Sequence, residues 1–589
     1  MWLAWALLLL RLVLRAAAQR PVVETTHGLV AGRVYEGCDV FRGIPYAEPP
    51  VGEKRWRAPV PKARWSGVRP ALKPAPECPQ LDITKGVHFG SEDCLYISVY
   101  RPPSCTRVSP CAVMFWIYGG AWAVGSNGEY GLYTGEHLAM KNNVIVVAAN
   151  YRLDVLGWLA LEELREGEAY GNYGLRDQTL ALAWTRDNAR RFGGDPDRVT
   201  LFGESAGGFS VCQHLTSPAS NGLFSRAIMQ SGDCDGPWLI VDGDDAKRFG
   251  DFYATKVGCP PDNSTTEGLN FRAACLRGKS QKQIMEPYLS WICPKNTPRP
   301  NDPWCNTTQE QLENGQSKSW PENRPPFAPI GGWTAVVDGS FSGLPDTPYR
   351  MMQRGQINLN PQGEPLQIIM GTNQDEMALF LISIDLMIPT INLPIGNGAI
   401  PHIAEHLVQY HDHWNATTVS QIVEAYTTGF CPGCTASYRF VQCSTDLAFR
   451  CGTRRAARVL SAAGSAVYLY NFNHHFTGYR DPNSTVCQTD SEVGCGVCHA
   501  SELRFVFDNY LLPLDTWDRR MADTIGELWA SFAKVGTPNE VEGVHWPKYN
   551  ASSDLHLEIR HPLGVKSGLS REQCDFWDTL AVQDGYPHR

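Results

Sequence analysis

The chain has 589 residues, far above the size at which a core is hard to build. Its 43% hydrophobic and 19% charged content is that of a globular protein and excludes a disordered or collagen-like chain. A formal net charge of −9 argues against nucleic acid as a partner and, more weakly, against an anionic membrane surface.

Met1 to Leu14 is rich in Leu, Trp and Val, and Ala16-Ala17-Ala18 offers the small residues that a signal peptidase needs. Arg11 and Arg15 break the apolar run well short of the ~18–20 residues of a membrane span. No later segment is apolar enough to span, and Asp584 to Arg589 carries neither a hydrophobic tail nor a retention signal. The expectation is a signal peptide over 1–18 and a single exported domain over 19–589, without a transmembrane anchor. Two features agree with export. The chain has 19 cysteines, an odd number that leaves at least one thiol without an intrachain partner. It also has five Asn-x-Ser/Thr sequons, at Asn263, Asn306, Asn415, Asn483 and Asn550, all candidate glycosylation sites.

Short apolar runs follow in chain order at Cys111 to Tyr118, Val144 to Ala149, Val199 to Phe202, Ala227 to Gln230, Leu366 to Met370 and Val467 to Phe472. They have the length and composition of strands buried on both faces. Thr179 to Arg190 and Met521 to Val535 have helical periodicity. The alternation predicts a large α/β domain with a mostly parallel sheet covered by helices. Ser280 to Pro329, rich in Pro, Asn, Gln and Trp, interrupts it as an insertion or lid candidate.

Gly203-Glu204-Ser205-Ala206-Gly207 fits the nucleophile-elbow pattern G-x-S-x-G, with a β-branched run entering it and a helical stretch, GGFSVCQHL, leaving it. A serine hydroxyl is a poor nucleophile until a base takes its proton, so an acid and a histidine are sought downstream. Gly371 to Glu376 follows directly on the run Leu366 to Met370, which puts a carboxylate beyond a strand end, where such sheets carry their sites. His499 follows Gly496-Val497-Cys498 and precedes the apolar stretch LRFVF. Tyr118-Gly119-Gly120-Ala121, after an early strand, supplies flexible backbone N–H groups for an oxyanion hole.

Longer stretches carry a resemblance. FRGIPYAEPPVGEKRW (Phe41 to Trp56), SEDCLYISVYRP (Ser91 to Pro102), NYRLDVLGWLAL (Asn150 to Leu161), FGGDPDRVTLFGESAGG (Phe192 to Gly208), WASFAKVGTPN (Trp529 to Asn539) and QCDFWD (Gln573 to Asp578) resemble the type B carboxylesterase, or cholinesterase/carboxylesterase, family. The resemblance spans Thr26 to Trp577 and implies the α/β-hydrolase fold. It implies Ser205 as nucleophile, His499 as base and Glu376, not its neighbour Asp375, as orienting acid. Gly120, Ala121 and Ala206 are then the oxyanion donors and Trp238 an acyl-pocket residue. It further implies disulfides Cys78–Cys94, Cys259–Cys275 and Cys451–Cys574, with structural ion pairs Arg42–Glu92 and Arg152–Asp177. Cys105–Cys111, Cys293–Cys305 and Cys431–Cys434 are further candidate pairs. The substrate is a small carboxylic ester, and no metal or organic cofactor is needed. Oligomeric state and the acyl preference are not legible.

Three departures narrow the carry-over. Pro79 to Asp93 contains no Trp, so the cation–π platform for choline is missing. Ala121 replaces the usual third glycine, and Met377 replaces the glycine after the acid. Gly331 and Gly332 fall where cholinesterases carry a bulky aromatic, which suggests a roomier acyl side. Competing readings are a lipase for long acyl chains and an inactive adhesion protein of the same fold. Cys495 to His499 also spells C-x-x-C-H, the c-type haem pattern, and Cys431, Cys434, Cys443 and Cys487 are a zinc alternative.

Overall fold

The computed structural model describes residues 20–82, 87–235, 240–261, 266–289, 333–380, 416–476, 497–509 and 515–583. Eleven strands form one sheet. In chain order they are β1 Arg33–Tyr35, β2 Cys38–Pro45, β3 Tyr96–Arg101, β4 Cys111–Ile117, β5 Ile145–Ala149 and β6 Gly194–Glu204. Then come β7 Arg226–Gln230, β8 Gln367–Asn373, β9 Ala466–Phe472, β10 Leu555–Ile559 and β11 Gly564–Ser567. Across the sheet the order is β11-β10-β9-β8-β7-β6-β4-β5-β3-β2-β1. The block from β10 to β5 is parallel throughout. β3, β2 and β1 on one side and β11 on the other add antiparallel edges. Each apolar run read as a strand lies in this block.

β4 and β5 are buried along their whole length, as strands packed on both faces must be. The rings of Trp116 of β4, Phe202 of β6 and Phe507 pack together at centroid distances of 4.8–5.9 Å in the middle of the core. The two predicted helices are present, as α1 Tyr173–Asn188 and the longer Thr516–Val535. Between them lie α2 Ala206–Thr216, α3 Ala436–Thr445 and α4 Cys451–Ala462. With α5 as Thr516–Val535, the last helix, α6, is Arg571–Gln583. α5 is pinned to the sheet where Trp529 Nε1 donates to Gln230 Oε1 at 3.0 Å and the Trp529 ring meets Tyr470 of β9. Of the insertion beginning at Ser280, Gln281–Leu289 is helical, and the rest lies outside the described residues.

The three disulfides implied by the resemblance are present, Cys78–Cys94, Cys259–Cys275 and Cys451–Cys574. Cys105–Cys111 and Cys431–Cys434 join them. Cys212–Cys234, which tethers α2 to the loop beyond β7, was not anticipated. Cys293–Cys305 lies outside the described residues. Among the described residues Cys38 and Cys443 are free and buried, and no helix is long and apolar enough to cross a membrane. Of the five sequons only Asn550 is described, and it is exposed.

One expected ion pair is corrected. Arg42 reaches Glu136 at 3.4 Å, and Glu92 is held in two-point contact by Arg55 at 2.7 and 2.5 Å. Arg55 also donates to the carbonyls of Arg277 and Lys279, so it is fixed where Glu92 can meet it. Arg152–Asp177 forms as expected. Both groups are buried, with Nε and Nη2 at 2.7 Å from the two carboxylate oxygens and the Arg152 N–H donating to Oδ2 at 3.0 Å. Asp177→Ala strands a buried guanidinium and is expected to cost about 3–5 kcal/mol. Equilibrium unfolding in urea measures it, and a loss below about 1 kcal/mol would show that Arg152 finds other acceptors.

Candidate active site

The elbow forms because β6 and α2 meet at residues too small to obstruct each other. A Cβ on Gly203 would lie 2.6 Å from the Gly207 carbonyl carbon, and one on Gly207 would lie 2.0 Å from the Ile117 carbonyl oxygen. Between them Ser205 takes φ 56°, ψ −127°, a conformation that side-chain-bearing residues rarely adopt and that functional sites hold by surrounding packing. Its N–H donates to Gln230 O at 3.0 Å, and its carbonyl accepts the Phe209 N–H at 2.9 Å.

Glu376 stands in the loop just beyond β8 and is fully buried. Its Oε1 accepts the Asn373 N–H at 2.6 Å, and its Oε2 lies 2.7 Å from His499 Nδ1. The imidazole is clasped by the rings of Phe380 and Phe449 at 5.1 and 5.0 Å. His499 Nε2 has no hydrogen-bond partner, and the Ser205 hydroxyl makes no hydrogen bond among the described residues. Asp375 faces elsewhere. It accepts from the Val497 N–H at 2.9 Å, from Gln442 Nε2 at 2.9 Å and from the Tyr438 hydroxyl at 3.2 Å, which makes it a brace between the Glu376 loop and the His499 loop.

Gly119 approaches Ser205 so closely that a Cβ there would lie 2.9 Å from Ser205 Cβ. The next residues are left-handed, Gly120 at φ 96° and Ala121 at φ 53°. Alanine in that region carries strain of about 1–2 kcal/mol that glycine would not. The N–H groups of Gly120, Ala121 and Ala206 donate to nothing among the described residues. The Ala206 N–H, on a residue 2% exposed, is one of the free donors that the start of a helix leaves, here directly after Ser205. Trp238, Gly331 and Gly332 lie outside the described residues.

Two carboxylates went unread in the sequence. Glu204 is the silent x of the elbow pattern, and Glu502 sits three residues after His499 with no pattern to flag it. Both are buried. Glu204 Oε1 stands 3.1 Å from His499 Nε2 without hydrogen-bond geometry. Glu502 accepts from Asn373 Nδ2 at 2.6 Å and from Gln230 Nε2 at 3.0 Å. Burial pushes the Glu204 carboxyl well above its usual range; the His499 charge opposes this, while Glu502 and Glu376 add to it. Burial alone would lower the His499 pKa, but Glu204 and Glu376, with Glu502 behind them, outweigh it and raise it above the ordinary imidazole value. The C-x-x-C-H reading loses its thiol, because Cys498 is disulfide-bonded. Cys431 and Cys434 are bonded to each other, which removes both from the zinc alternative.

A protonated His499 cannot accept a proton, so any activity that uses it as base falls below its pKa. Glu204→Gln removes a negative charge 3.1 Å from Nε2, which disfavours the imidazolium and lowers that pKa. The acid limb of the kcat/KM profile is expected to move to lower pH by about one unit. An acid limb that stays in place would show that Glu204 is protonated, and so silent, over the working range.

Residues 19–577 match the carboxylesterase family. The chain is 31% identical to the acetylcholinesterase of Danio rerio over 618 aligned positions, covering 95% of this chain and 88% of that protein. It is 32% identical to the acetylcholinesterase of Electrophorus electricus over 599 positions, covering 91% and 84%. An eleven-stranded mixed sheet with a serine elbow at the end of β6 and a match over nearly the whole chain lead to one conclusion: this protein belongs to the carboxylesterase family.

Proposed function

We propose that this protein is an exported serine hydrolase of small carboxylic esters, with Ser205 as nucleophile, His499 as base and Glu376 as the acid that orients it. The observation that carries the reading is the buried 2.7 Å contact between His499 Nδ1 and Glu376 Oε2, which leaves Nε2 without a hydrogen bond among the described residues and 3.1 Å from Glu204 of the elbow. A missing Ser205–His499 bond is no objection, since such bonds are often long without substrate and tighten with it.

His499 Nε2 takes the Ser205 proton as Oγ attacks the ester carbonyl carbon. The oxyanion accepts from the Gly120, Ala121 and Ala206 N–H groups. The imidazolium returns its proton to the departing alcohol, which leaves an acyl-serine. Water repeats the attack through the same base and frees the acid. Glu376 holds the Nδ1–H tautomer, and the surrounding carboxylates favour the imidazolium as it forms. The Ala121 methyl group sits beside the oxyanion and narrows that side. We place the catalytic chain in one domain after a cleaved signal segment. Six disulfides among the described residues support an oxidising compartment.

Ser205→Ala should lower kcat by ~10⁶ while leaving folding and secretion intact. A fluorophosphonate probe should label Ser205 alone. A well-folded protein that neither reacts with the probe nor cleaves esters would be the adhesion protein of the rival reading.

Substrate charge separates the enzyme readings. The loop closed by Cys78–Cys94 offers only His88 and Phe89 as rings. Burial pushes the His88 pKa below the ordinary imidazole value, against the pull of Glu286, which disfavours the cation, and its imidazole does not replace an indole. A cation–π contact is worth ~0.5–2 kcal/mol, which this loop forgoes. p-Nitrophenyl butyrate is expected to have a higher kcat/KM than butyrylthiocholine at both low and high salt. A choline preference that survives high salt would require another aromatic platform.

A further inference from the structure

The described disulfides divide by accessibility. Both half-cystines are buried in Cys78–Cys94, Cys105–Cys111, Cys212–Cys234 and Cys451–Cys574, while in Cys259–Cys275 Cys259 is buried and Cys275 partly exposed. In Cys431–Cys434 both residues are partly exposed, and Pro432 and Gly433 between them are exposed. This pair also closes the shortest loop, a separation of 3 against 6 to 123 in the others. A short loop constrains the unfolded chain least, so breaking this bond costs the fold least.

A cation and a helix start flank the pair. Arg439 donates from Nε to the Cys431 carbonyl at 3.2 Å and from Nη2 to the Pro432 carbonyl at 2.8 Å, which fixes a guanidinium against the loop. α3 begins two residues after Cys434, with Thr435 Oγ1 capping the Tyr438 N–H at 3.3 Å. A neighbouring cation and the positive end of a helix both lower a thiol pKa, and a stabilised thiolate is the better leaving group in exchange.

We propose that Cys431–Cys434 is a thiol–disulfide exchange site that takes a small dithiol as reductant. One thiolate of the dithiol attacks one of the two sulfurs, forming a mixed disulfide and releasing the other cysteine as thiolate. The second thiol of the reductant closes on its own sulfur and releases the second cysteine. Two electrons and two protons pass to Cys431 and Cys434, and the dithiol leaves as a cyclic disulfide.

The oxidation state is felt beside Glu376. Tyr438 and Gln442 of α3 both donate to Asp375 Oδ1, and Thr445 at its far end accepts the Met377 N–H at 3.1 Å. α3 therefore holds the residues on either side of Glu376, and Asp375 in turn holds Val497. Opening the ring frees the chain entering α3 and loosens that clamp.

The full-length oxidised protein is titrated with dithiothreitol, trapped with iodoacetamide and mapped by mass spectrometry, with amide hydrogen exchange measured on the same samples. Cys431 and Cys434 are expected to open at dithiol concentrations about tenfold or more below those that open any other described pair, with the near-UV circular dichroism unchanged. Exchange at the amides of residues 375–377 and 497 should then quicken about fivefold. The Cys431→Ser/Cys434→Ser double variant should show the fast rates without reductant. Opening together with, or after, the buried pairs overturns the exchange site, and unchanged amide rates in the selectively reduced protein overturn the link to Glu376. Neither readout uses ester cleavage, so the result stands apart from the proposed hydrolase activity.

Discussion

The backbones of Ile117, at the end of β4, and Gly207, in the first turn of α2, approach so closely that a single methyl group on Gly207 would meet the Ile117 carbonyl oxygen at 2.0 Å. That contact brings the loop after β4 against the loop after β6, and the rest of the site follows from it. Gly119 is pressed against Ser205, and Gly120 and Ala121 turn left-handed to continue the chain. Ser205 is left with the one backbone conformation that joins β6 to α2. The strain is not stored at one residue. It is shared by Ser205, Ala121 and Trp122, all at positive φ, and it is held by a core in which β4 and the Val199–Glu204 half of β6 are buried and hydrogen-bonded in parallel.

Around this backbone knot the protein gathers carboxyl groups. Glu376, Glu204 and Glu502 are all buried near one imidazole. Burying a carboxylate without a partner is costly, and each is answered differently. Glu376 has the Asn373 N–H and His499 Nδ1, and Glu502 has two side-chain amides. Glu204 has the least, with one oxygen unpaired and 3.1 Å from an equally unpaired Nε2. The arrangement favours an imidazolium more than a neutral imidazole, which is what the role proposed for His499 as base asks of its charged form. The same bias raises the pH at which the neutral base is available.

How much of this the sequence disclosed follows from which interactions are local. The strands buried on both faces, such as Cys111–Ile117 and Ile145–Ala149, are continuous apolar runs and were legible as such. The elbow was legible because its packing demands glycine at fixed spacing. Tertiary pairing was less so. Arg42 was matched to Glu92 by resemblance, yet Glu136, on a short helix packed beside β2, is what it reaches, while Arg55 is held by carbonyls some 220 residues away in sequence and takes Glu92 instead. Cys212–Cys234 joins two elements whose meeting depends on the sheet order. Glu204 occupied a position that the elbow pattern leaves free, so only its distance to His499 exposed it. Asp375 and Glu376, adjacent and chemically equal, are told apart in the sequence only by resemblance and in the fold by direction: one side chain faces α3 and the other faces the imidazole.

The loop closed by Cys78–Cys94 shows how a site can keep a support while losing a contact. Gln80 in that loop accepts the Gly125 N–H at 2.8 Å and donates to the Gly125 carbonyl at 3.0 Å. Gly125 lies a few residues beyond the oxyanion segment, where Ala123 and Val124 both donate to the Gly120 carbonyl. The two-point amide contact therefore fixes the far end of the turn that aims the Gly120 and Ala121 N–H groups. That duty requires an amide at position 80 and a closed disulfide, and makes no demand on aromatic residues later in the loop. An aromatic face for a cation and a brace for the oxyanion turn are separable properties of one segment. This chain has the brace, and the uncharged ester proposed as its substrate would need nothing more from the loop.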